Sequence, residues 1–90
     1  MKIKDILSMN LRYYRKIYNL SQEKFAEVLG TSLAHLNKIE QKKVDVKLST
    51  IEKYTNNLNK YDKNKKIESN DLLIYHKDRE TSFSRIDEKK

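Results

Sequence analysis

The chain has 90 residues, with 20 Lys and Arg against 13 Asp and Glu for a net charge of +7, no cysteine, no proline and a single glycine. That length fits one small domain with an appendage, burying roughly 60–65% of its unfolded surface. The missing cysteine excludes a disulfide framework and thiolate-bound metal.

His35 and His76 are far apart, and neither has a partner at ligand spacing, so no metal site and no cofactor are expected. No apolar run approaches about 20 residues and no apolar leader is readable, which points to the cytoplasm and away from a membrane. Charge is unevenly spread. Residues 1–61 hold 12 basic and 6 acidic side chains, and residues 62–90 hold 8 and 7. The positive field therefore sits on the first two thirds of the chain, the footprint expected of a partner rich in phosphate.

In chain order, a first helix is predicted from Asp5 to Tyr18. Ile3, Leu7, Leu11, Tyr14 and Tyr18 recur at three- and four-residue steps and form a core-facing stripe, with Arg12, Arg15 and Lys16 beside it. A second helix opens at Ser21, whose hydroxyl can cap the first turn, and carries Phe25, Ala26, Val28 and Leu29. Gly30 falls where a helix closes in the left-handed conformation, and Thr31 and Ser32 can cap the next helix. Two short amphipathic helices about so tight a bend match the helix-turn-helix unit.

That next helix sorts by angle, at about 100° per residue. Leu36, Ile39, Glu40 and Ser32 fall on one side. Asn37, Gln41, Ala34 and Lys38 fall on the other, with His35 on the flank. The outer side is small, amide and cationic, without an acid. Alone it would pass for an ordinary solvated face; the preceding helix, the bend and the net charge favour a surface for a negatively charged groove.

Residues 44–62 supply a further helix beginning near Leu48, with Leu48, Ile51, Tyr54 and Leu58 as its apolar edge. After a charged break at residues 60–66, the stretches 71–76 and 82–87 flank a turn and read as a β-hairpin. A short fifth helix starting near Ser69 is the alternative. A lone hairpin is marginal in water, so it must pack on something. Its own domain and a second copy are equally good candidates, with Leu73, Tyr75, Phe83 and Ile86 as contacts. The division is thus residues 1–62 as the binding domain and 63–90 as an extension for dimerisation or packing.

The region from Leu11 to Leu58 resembles the lambda-repressor-like helix-turn-helix family, also called the Cro or xenobiotic-response-element type. The resemblance is carried by Leu11, Arg15, Leu20-Ser21-Gln22-Glu23, Phe25-Ala26, Gly30-Thr31-Ser32, Leu36, Ile39-Glu40, Leu48 and Ile51. Lys42 stands where the family often has glycine, and Val46 where it often has proline. The resemblance implies a mainly α bundle of four to five helices, here with the C-terminal β-hairpin. Scattered carboxylates, with no readable Ser–His–Asp grouping and no phosphate loop, make an enzyme unexpected. The resemblance further implies a homodimeric repressor that binds double-stranded DNA at an inverted repeat. It also implies that Arg15 pairs with Glu40, which on an inward face would be costly to leave unpaired.

On this view Leu33 and Ala34 meet thymine methyls, Lys38 meets guanine or phosphate, and Asn37 meets adenine. Gln22, Ser32, Lys42 and Lys43 serve backbone contacts, Gln22 sometimes a base as well, and His35 lies at the flank. The same fold also serves as a protein-interaction module, such as an antitoxin that masks a partner protein. This second reading would show tight protein binding with indifferent DNA binding.

Overall fold

The computed structural model describes residues 2–79. Four α-helices, α1 (Ile3–Ile17), α2 (Gln22–Leu29), α3 (Leu33–Glu40) and α4 (Leu48–Tyr61), precede a 3₁₀ helix at Ser69–Leu73. Their ends follow from local chemistry. Ser21 Oγ accepts the Lys24 N–H at 3.1 Å at the start of α2, and Ser32 Oγ accepts the His35 N–H at 3.0 Å at the start of α3.

The first three helices stop in the same way, each on a residue of positive φ: Asn19 at 55°, Gly30 at 80° and Lys42 at 64°. In each case the next residue's N–H reaches back to close the last turn. Leu20 donates to Arg15 O (3.0 Å), Thr31 to Ala26 O (2.9 Å) and Lys43 to Lys38 O (2.9 Å). At the α2–α3 bend the hold is doubled from α4. Asn57 Nδ2 donates to Leu29 O at 2.7 Å and Lys53 Nζ to Gly30 O at 2.8 Å.

Every element contributes to one core. Leu7, Leu11 and Tyr14 from α1 meet Phe25, Ala26 and Leu29 from α2, with Leu36 and Ile39 from α3 and Ile51, Tyr54 and Leu58 from α4. Two members of the expected apolar stripes stay outside it: Ile3 is 57% and Leu48 60% exposed. Both stand in the first turn of their helices, beyond the edge of a core whose contacts begin one turn later, at Leu7 and Ile51.

The C-terminal part corrects the hairpin expectation. Among the described residues there is no strand. Residues 69–73 form the 3₁₀ helix, residues 74–76 follow without regular structure, and residues 77–79 are helical again. The cause lies far away in sequence. Asn10, fully buried on α1, donates from Nδ2 to Leu72 O (2.8 Å) and Ile74 O (3.0 Å), so these carbonyls bond to α1 and not to a neighbouring strand.

Arg79 Nη1 donates to Asn10 Oδ1 at 2.9 Å, its guanidinium lies 4.1 Å over the Tyr13 ring, and the Tyr14 hydroxyl donates to Asp71. Leu72 fills the core with no exposed surface, and Ile67 is anchored by a two-way amide bond with Asn59, both contacts at 2.7 Å. Of the residues expected at a dimer contact, Leu73 is half-buried against the core and Tyr75 is 42% exposed. Phe83 and Ile86, with the second half of the expected hairpin, lie outside the described residues.

Candidate nucleic-acid interface

The short helix α3 owes its orientation to what it buries. Leu36 and Ile39 are almost fully enclosed, and so is Glu40, at 7% exposure. A carboxylate removed from water needs a counter-charge and hydrogen bonds. Arg15 supplies both, with Nε at 2.9 Å from Oε2 and Nη2 at 3.1 Å from Oε1, a two-pronged contact. Gln22 Nε2 donates to the same Oε1 at 2.9 Å, and Ser8 Oγ donates to the Glu40 backbone carbonyl at 2.8 Å. One residue thus ties the end of α3 to both α1 and α2.

Arg12 stands close to this group. Burial lowers its pKa from the ordinary arginine value, the nearby Glu40 charge opposes that shift, and Arg15 adds to it. An arginine stays protonated in proteins. Two cations therefore flank one anion, and the foot of α3 keeps a positive balance. Ser8, Arg12 and Arg15 were separable in advance by their spacing, since steps of four and three place them on one face of α1. Composition and motif matching single out Arg15 alone.

With the inner side fixed, the outer side is set. Ala34, Lys38 and Gln41 are exposed, Leu33 is 40% exposed, and His35 and Asn37 are half-buried. Ser32 is exposed as the residue preceding the helix, so the helical wheel, which put it inward, does not apply to it. Lys42 and Lys43 continue the exposed surface past the end of α3. Gln22 is half-buried at the first position of α2, and its amide links the outer surface to Glu40. No acid interrupts the exposed residues between Ser32 and Lys43. Such a surface complements phosphate flanks and base edges.

A family model described as helix-turn-helix matches residues 11–62, more than half of the chain. The chain belongs to this lambda-repressor-like helix-turn-helix family of DNA-binding transcription regulators. Among curated proteins it is similar to the control protein C.SmaI of Serratia marcescens, at 47% identity over 51 residues. That match covers 57% of this chain and 61% of the control protein. Among solved structures it is similar to the hypothetical transcription factor NHTF from Neisseria, with a TM-score of 0.71 and 25% identity. The superposition spans 89% of this chain and 84% of that one. Among the described residues no helix is long and apolar enough to cross a membrane.

Proposed function

We propose that this protein is a cytoplasmic, sequence-specific regulator that binds double-stranded DNA as a homodimer on an inverted-repeat operator and represses the promoter it covers. The observation that carries this reading is the acid-free outer face of α3, held outward by the burial of Glu40 against Arg15. Residues 1–62 form the reading unit, and the extension over residues 63–90 serves dimerisation or packing, with Leu73, Tyr75, Phe83 and Ile86 as the proposed dimer contacts. The likeness to a control protein and to a transcription factor supports a regulatory outcome.

In this assembly α3 enters the major groove with its first turn leading. Leu33 and Ala34 lie against thymine methyls, Asn37 meets adenine, and Lys38 donates to guanine or to phosphate. Ser32, Lys42 and Lys43 hold the phosphate flanks, His35 lies at the edge, and Gln22 reaches the same groove from α2. Two half-sites stand about 34 Å apart, one turn of the duplex.

Selection of bound duplexes from a random pool tests the proposal, with enrichment of an inverted repeat as the expected result. Flat, weak binding to every duplex, alongside tight capture of a protein partner, would replace it with the interaction-module reading.

A further inference from the structure

We infer that Lys53 and Asn57 of α4 position the first turn of α3 for base recognition, by fixing both peptide planes that meet at Gly30. This rests on the DNA-binding reading above. Each peptide unit is a rigid plane, so the two backbone dihedrals of Gly30 are all that relate the plane before it to the plane after it. Asn57 Nδ2 donates to Leu29 O, in the first plane, at 2.7 Å. Lys53 Nζ donates to Gly30 O, in the second, at 2.8 Å.

The bend gains from an outside hold. Glycine has the widest choice of dihedral angles, so residue type alone leaves the joint loose. The Gly30 and Thr31 amides both turn back to Ala26 O, each at 2.9 Å, and so share one acceptor. The carbonyl edges of the same two planes are what α4 takes up. Lys53 and Asn57 stand one turn apart on one face of α4, so a single rigid element holds both. The approach is close: a Cβ on Gly30 would stand 3.0 Å from Asn57 Nδ2 and 3.1 Å from Lys53 Cε. The far end of α3 is tied separately, through Glu40 to Arg15. Leu33 and Ala34 lie next to the bend, at the end that α4 controls.

Two readouts on Lys53→Met, Asn57→Ala and the double variant test the inference. In the free protein, N–H residual dipolar couplings report how each helix is oriented. Those of residues 33–35 should change in the double variant, while those of α1 and α4 match the unaltered protein. The second readout is the affinity for the best selected duplex divided by that for a scrambled one. This ratio should fall about 3- to 10-fold in the double variant, the scale of a lost hydrogen bond or two. Taking a ratio cancels the cation removed with Lys53, whose loss weakens both duplexes alike. Lys53→Arg, which keeps a donor at that position, should retain most of the ratio that Lys53→Met loses.

Unchanged couplings over residues 33–35 would overturn the inference, because the bend would then keep its angle without α4. Altered couplings with an unchanged affinity ratio would overturn it as well, leaving the two side chains a role in stability alone. If the double variant does not fold, the single variants carry the same two readouts. Failure of the unaltered protein to prefer any duplex appears before any substitution is made, and marks the failure of the DNA-binding reading itself.

Discussion

Lys42 shows how far a single position can be read. Its place in the sequence is one the family often fills with glycine, and the structure gives the reason: φ is +64°, in the region where an L side chain is strained. Gly30 meets the same demand with the residue best suited to it, at φ +80°, and Asn19 with the residue type that tolerates it next best. Lys42→Gly should therefore raise stability by about 0.5–1 kcal/mol in urea unfolding, less than the full left-handed penalty because glycine also loosens the unfolded chain.

The same variant should bind DNA less tightly and lower the salt dependence by roughly one unit, because the proposed phosphate contact goes with the ammonium. A lower unfolding midpoint would contradict the strain argument. At this scale the glycine and the two serine caps were legible from residue type. Asn10 was not, because a polar residue one step from Leu11 reads as solvent-facing until its distant partners are known.

Elements are held to one another by groups whose cost of separation can be ordered. The Arg15–Glu40 contact is enclosed, with side-chain exposures of 10% and 5%, so removing one partner leaves a buried charge without its counter-ion. Arg15→Ala and Glu40→Ala should each cost about 3–5 kcal/mol, and the double variant much less than their sum. Equal and additive losses in a double-mutant cycle would mean that the two groups act independently.

The contact between α1 and the 3₁₀ helix has a different signature. Burial and the hydrogen bond to Asp71 raise the Tyr14 pKa from 10.0 to about 12. Folding favours the neutral phenol, so the stability it contributes is complete below about pH 10 and is lost as pH rises through about 12. Urea midpoints measured across that range should fall steeply in the unaltered protein and less steeply in Tyr14→Phe. Some slope remains, because Tyr18 is also raised by burial and its bond to Asp62. The helices were legible because caps and periodicity act over three or four residues. The stretch after residue 66 was not. A short apolar run of Leu72, Leu73 and Ile74 suits a strand as well as a buried turn, and the choice was made by Asn10, 62 residues away from Leu72.

At the scale of the whole molecule, charge and shape divide the work of recognition. On the proposed function, the excess of cations over residues 1–61 would set general affinity for a phosphate backbone, and the outer face of α3 preference among sequences. Lys43→Ala should weaken binding to all duplexes by one common factor and reduce the salt slope by about one. Lys38→Ala should instead change the order of preference among duplexes in the same competition assay. If Lys38→Ala altered neither affinity nor order, α3 would not be docked as described.

The family pattern ends at residue 62, yet Asn10 commits its nitrogen to Leu72 and Ile74 and its oxygen to Arg79. A fragment cut at Asp62 would keep every side chain of the proposed DNA surface and still be unfinished, with a hole where Leu72 and Ile67 belong and an interior carboxamide missing its carbonyls. Anyone transplanting this reading head onto another scaffold must carry the tail along through Arg79.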